Sequence, residues 1–114
     1  MLTAILPARA SETMTMKVSP AVAFAPATLI VRAMIEADSR NRAVEIVAES
    51  PGFYRASEIE LDGDKAPRTN TFEFRSLPSG SYEVKATLRD ASGHARAAVR
   101  TAVNVIESGG DDRR

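Results

Sequence analysis

Apolar and polar residues alternate through most of this chain. Between positions 82 and 88, Tyr82, Val84, Ala86 and Leu88 alternate with Glu83, Lys85, Thr87 and Arg89. A period of two places one set of side chains on a dry face of an extended strand and the other on a wet face. Wound into a helix, the same residues would scatter apolar groups around the cylinder. Asp90-Ala91-Ser92-Gly93 then supplies a turn, with Gly93 free to take positive φ. Beyond it Ala97, Val99, Thr101, Val103 and Val105 alternate with Arg96, Ala98, Arg100, Ala102 and Asn104. Residues 81–106 therefore predict a long-armed β-hairpin.

The same period recurs upstream. Leu29, Val31, Ala33, Ile35 and Ala37 mark a strand over 28–37 that breaks at Asp38-Ser39-Arg40-Asn41. Val44, Ile46 and Ala48 mark another over 42–49, ending at Ser50-Pro51-Gly52. Ile59 and Leu61 alternate with Glu58 and Glu60 before an Asp62-Gly63 turn, and Phe72 and Phe74 flank Glu73. A first strand over 14–18 precedes Pro20 and Pro26. Proline has no N–H to give a ladder, so this segment suits a sheet edge. About seven short strands at roughly 8–13-residue spacing, with no helical period, predict a β-sandwich or small barrel.

Composition narrows the function. The chain has 114 residues, enough for one domain, and 44% of them are hydrophobic, enough for a core. Fifteen basic residues balance fifteen acidic ones, and the basic residues are scattered along the chain, so no nucleic-acid partner is expected. The absence of cysteine excludes disulfides, thiolate nucleophiles and Cys-ligated metals. No apolar run approaches the ~20 residues of a membrane helix, so no membrane insertion is expected. Ala8-Arg9-Ala10 before Ser11 has the small-x-small form of a secretory cleavage site, but Leu2 to Leu6 is too short for its apolar region and no basic region precedes it. Residues 1–13 are read as a flexible segment, either an ordinary frayed terminus or the remnant of such a signal; the second reading places the protein outside the cytoplasm, periplasmic or secreted. The domain is expected over 14–107, with 108–114 as a disordered tail.

Leu77-Pro78-Ser79-Gly80-Ser81-Tyr82-Glu83-Val84 resembles the E–F corner of fibronectin type III and bacterial immunoglobulin-like domains. The run TLRDASGHARAAVRTAVNV that follows the corner resembles their closing hairpin. The resemblance covers residues 14–106 and implies an all-β, seven-stranded antiparallel immunoglobulin-like β-sandwich, without the tryptophan and cysteine pair of antibody domains. It also implies a structural corner of Leu77, Pro78 and Tyr82, in which the Tyr82 phenol turns back to the backbone near Leu77 or Pro78.

Three groups are candidates for chemistry or binding. His94, the only histidine, lies within one tight turn with Asp90 and Ser92. A Ser-His-Asp triad needs three separated supports and an oxyanion hole, so His94 reads as a solvated turn residue. Glu58, Glu60, Asp62 and Asp64, spaced by two, would share one side of an extended chain. Calcium or glycoside cleavage would use such carboxylates, but the spacing lacks an EF-hand's loop and terminal Glu. A solvated strand face neutralised by Lys65, Arg68 and Lys85 accounts for it, so no metal, cofactor or catalytic residue is expected. Ile30 and Met34 fall on the wet side of their strand, and Phe24, Phe53 and Tyr54 lie at loops. These five are the candidate interaction residues, Phe24 and Phe53 alternatively capping the ends of the sandwich. The expected function is a non-catalytic interaction or spacer module for a protein or surface polymer. A carbohydrate-binding module is the alternative, against which stand only four Phe, two Tyr and no Trp.

Overall fold

The computed structural model describes residues 13–108. They form eight strands and a single 3-10 turn at Gly63–Lys65. The strands are β1 (Met14–Ser19), β2 (Val22–Phe24), β3 (Ala27–Ile35), β4 (Ala43–Ser50), β5 (Phe53–Glu60), β6 (Thr69–Leu77), β7 (Gly80–Arg89) and β8 (Ala95–Ile106). Two sheets result, one of three strands in the order β1-β3-β6 and one of five in the order β2-β8-β7-β4-β5. The protein is therefore all-β and two-layered.

Alternation dictates the layering. Leu29, Val31 and Ala33 of β3 and Phe72 and Phe74 of β6 are buried on one sheet. Val44, Ile46, Ala48, Tyr82, Val84, Ala86, Leu88, Val99, Val103 and Val105 are buried on the other. These faces meet in one apolar cluster with Met14, Leu61 and Leu77. Leu77 and Val84 are wholly excluded from water, a gain of about 1.5–3 kcal/mol for each such side chain over its exposed state.

The predicted strand count and pairing need two corrections. There are eight strands among the described residues, not seven, because Val22–Phe24 adds one. That strand pairs with β8 in parallel, Phe24 opposite Ile106, so the pairing is not wholly antiparallel. Three residues are too few to show a period, and β2 is held by the exposed edge of β8 rather than by its own pattern. Pro20 and Pro26 flank it, each after a cis peptide bond. The chain thus pairs first in one sheet and then in the other. Strand β5 begins at Phe53, earlier than the Ile59–Leu61 alternation indicated, and pairs with β4 along all eight residues. Strand β3 ends at Ile35, leaving Ala37 exposed. The segments expected to be flexible, 1–13 and 108–114, lie outside the described residues except for Thr13 and Ser108.

Two bulges redirect the ladders. Between Ala27–Leu29 and Phe74–Leu77, β6 carries an extra residue, and Ser76 there takes φ of 61°. Between Leu88 and Arg89, β8 carries the extra residue, Arg96. At the corner, the Tyr82 hydroxyl donates to the Pro78 carbonyl at 2.7 Å while its ring is 2% exposed. The ring meets Phe53 edge to face, with centroids 6.0 Å apart.

This packing sets the expected effects of three substitutions. Replacing Tyr82 with Phe keeps the ring and strands the Pro78 carbonyl, and should cost about 1–2 kcal/mol in denaturant titration. Val103→Ala removes methyls from a site 1% exposed and should cost about 1–3 kcal/mol. His94→Ala alters a side chain 82% exposed and should shift stability by no more than about 0.5 kcal/mol. A larger loss for His94→Ala than for Val103→Ala would show that the hairpin tip, rather than its arms, carries the energy.

Candidate functional site

The five candidate interaction residues do not converge. Ile30 and Met34 are half-buried on the outer face of the three-stranded sheet, separated by Arg32. Phe24 and Tyr54 are 66% and 61% exposed on the outer face of the five-stranded sheet, at its opposite edges, on β2 and β5. Phe53 points the other way. It is half-buried against the core, with Tyr82 at its edge and the Arg55 guanidinium 5.0 Å from its centroid, so it caps one end of the packed layer. Val22 and Ile106, which the alternation did not single out, flank Phe24 and are 54% and 46% exposed.

Register sorts the charges on these two outer faces. On the five-stranded sheet, Glu45 stands directly opposite Glu58, and Glu49 stands between Tyr54 and Glu83. Glu60 extends the same face. Lys85, Arg89 and Arg100 are its cations; Arg89 reaches Glu45 at 3.3 Å and Arg100 reaches Glu83 at 3.6 Å. Five carboxylates thus face three cations. On the three-stranded sheet, Lys17 stands directly opposite Arg32, and Arg75 pairs with Glu73 at 3.2 Å. Three cations there face one carboxylate within the strands. Like charges directly opposite across a ladder are destabilising, by a few tenths of a kcal/mol to about 1 kcal/mol.

The acidic set Glu58, Glu60, Asp62 and Asp64 does not form one cluster. Glu58 and Glu60 lie on the outer face of β5, while Asp62 and Asp64 belong to the 3-10 turn, whose Gly63 is buried at φ of 55°. A Cβ on Gly63 would sit 3.1 Å from the Ser39 carbonyl oxygen, so the turn is packed against the loop between β3 and β4. Among the described residues, no three His, Cys, Asp or Glu side chains are grouped to hold a metal ion. His94 stands at the hairpin tip, its Nδ1 4.0 Å from Asp90. The Asp90 carboxylate accepts from the backbone N–H groups of His94 and Ser92 at 3.0 and 2.9 Å, which hold its pKa low. That is the work of a turn residue.

A cluster at the same end of the molecule was not visible in the sequence. Asn41 is 1% exposed and uses every polar group it has. Its Nδ2 donates to the Glu36 carbonyl at 2.9 Å, its Oδ1 accepts from Arg96, its N–H donates to the Asp38 carbonyl, and its carbonyl accepts from Gly63. Alternation placed Arg96 on the wet face of β8. The bulge instead turns it toward the loop, where its Nη2 also reaches Asp38 at 3.2 Å. Only the turn-forming Asp38-Ser39-Arg40-Asn41 hinted at this, and it marks a break rather than a partner. The arrangement joins three connections and is structural in chemistry, with the Asn41 side-chain oxygen and nitrogen both engaged within the protein.

Asp38 gives this cluster a pH signature. Hydrogen bonds from the Arg40 side chain, then from the Arg40 backbone N–H, hold its carboxyl far below the ordinary value of 3.8. A depressed folded pKa means stability that is complete above the unfolded pKa and lost as pH falls below it. Asp38→Asn should therefore be less stable than the parent chain near pH 6, and the gap should narrow steadily as pH falls from about 4 to 2. Urea titrations across that window check it; a gap independent of pH would mean that the charge contributes nothing.

The chain matches no protein-family model and no curated protein. Its fold is similar to those of solved structures. One is a superoxide reductase (neelaredoxin) from Ignicoccus hospitalis, 12% identical, with a TM-score of 0.55, covering 87% of this chain and 82% of that one. Another is a family 76 glycoside hydrolase from a bovine Bacteroides thetaiotaomicron strain, 16% identical, with a TM-score of 0.58, covering 82% of this chain but 20% of that one. At such identities the likeness is one of fold alone.

Proposed function

We propose that this protein is an immunoglobulin-like β-sandwich acting as a non-catalytic interaction or spacer module, presented outside the cytoplasm. The fold reading is supported by the strand order, by a first segment that pairs with both sheets in turn, and by the Tyr82–Pro78 corner. The observation that carries the functional reading is the sorting of exposed charge and apolar side chains onto two broad sheet faces. The groups capable of chemistry are dispersed, by contrast: His94 is solvated and Asp90 is occupied by backbone donors. The carbohydrate reading draws on the likeness to one fifth of a glycoside hydrolase, while Phe24 and Tyr54 at opposite sheet edges leave no stacking groove. The location rests on Ala8-Arg9-Ala10, which lies outside the described residues.

Affinity electrophoresis through soluble glucans and mannans should leave the protein's mobility unchanged, and superoxide should decay at the protein-free rate. Retardation lost in Tyr54→Ala or Phe24→Ala would replace this reading with carbohydrate binding. Superoxide consumption above the blank would replace it with catalysis.

A further inference from the structure

Net charge is zero over the chain, yet the two sheet faces carry opposite signs. The outer face of the three-stranded sheet has two more cations than carboxylates in its strands, with Lys17 and Arg32 directly opposite each other. The outer face of the five-stranded sheet has two more carboxylates than cations, with Glu45 opposite Glu58, Glu49 opposite Glu83, and one cation pair, Lys85 opposite Arg100. Each face also holds apolar surface between its charges: half-buried Ile30 and Met34 on the basic face, half-buried Val47 and exposed Tyr54 on the acidic one. The charge imbalance on one face is equal and opposite to that on the other.

We infer that the occupant of these faces is a second copy of this chain, stacked with its basic face on the acidic face of the first. This rests on the interaction-module reading and names the partner. Matching a face to itself would oppose like charges, which excludes an isologous pair on either face. Stacking basic on acidic sets Lys17 and Arg32 against the glutamate pairs; the Lys85–Arg100 pair opposes it, and the two excess cations of one face against the two excess carboxylates of the other make the sum favourable. Because the two faces belong to opposite sides of the molecule, the contact is heterologous. Each copy added leaves one basic and one acidic face free, so the stack propagates.

The smaller face limits the strength. Three strands about 4.8 Å apart and roughly 20–30 Å long cover about 400 Å². The contact then buries about 800 Å² in total, below the standard size of a stable complex. Association is therefore weak and concentration-dependent, and its charge complementarity makes it salt-sensitive.

Sedimentation velocity of the full chain at low and high salt tests this. At about 20 mM salt the weight-average sedimentation coefficient should rise with protein concentration, and at about 500 mM it should return to the monomer value. K17E/R32E, with both faces acidic, and E49K/E83K, with both faces basic, should each remain monomeric at low salt. Their equimolar mixture should associate again. If a reversed variant fails to fold by circular dichroism, K17Q/R32Q and E49Q/E83Q should each at least halve the low-salt increase. A parent chain monomeric at low salt up to about 1 mM would overturn the inference, leaving the module reading in place. So would association that both reversed variants retain, or a mixture that stays monomeric.

Discussion

The dry layer between the two sheets is the constraint on which everything else depends. Leu29 and Val31 on one side and Val44, Ile46, Val84 and Val103 on the other are almost wholly removed from water. A strand can contribute to that layer only through every second residue, so each pairing register is locked. Slipping β4 by one residue would bring Glu45 and Glu49 inward and push Val44, Ile46 and Ala48 out. The cost of burying those carboxylates forbids it. The same parity decides, without further instruction, which residues reach the outer faces.

The ends of the layer are closed by polar devices rather than by more apolar surface. At one end Tyr82 lays its ring on Phe53 and returns its hydroxyl to Pro78. At the other, Asn41 and Arg96 tie the connection between β3 and β4 to the last hairpin. Both devices hold loops against the sheets where strand pairing has ended, and both satisfy backbone carbonyls that water would otherwise have to reach. At the open edges of the two sheets, Arg55 on β5 donates to the Arg75 carbonyl on β6 at 2.5 Å. One carbonyl of β6 is thereby withheld from pairing with another chain.

Sheet faces carry function differently from pockets. A catalytic pocket needs convergent groups with matched pKa values; a face needs area, charge pattern and rigid support. Here the rigid support is the ladder beneath, and the charge pattern is a product of register. Arg89 and Arg100 each serve one glutamate across the strands, yet the acidic excess survives. Like-charge neighbours such as Glu49 and Glu83 weaken the isolated sheet slightly while raising the field that an oppositely charged surface would meet.

The sequence by itself determined the strands with a clear period of two, the hairpin around Asp90–Gly93, most of the core, and the Tyr82 corner. These depend on local alternation or on contacts a few residues apart, so a linear reading reaches them. It also determined that charge sums to zero, but it made the basic residues look merely scattered. Only the tertiary structure decided where that charge goes, because Lys17 meets Arg32 and Glu49 meets Glu83 through pairings between distant segments. Only the tertiary structure decided that β2 exists, since three residues between two prolines acquire strand geometry from the edge of β8. It likewise decided that Phe53 turns inward while Tyr54 turns out. A bulge, which shifts one residue out of step, took Arg96 from the wet face to Asn41. A period of two carries no signal for such a shift, because the pattern on either side of it remains intact.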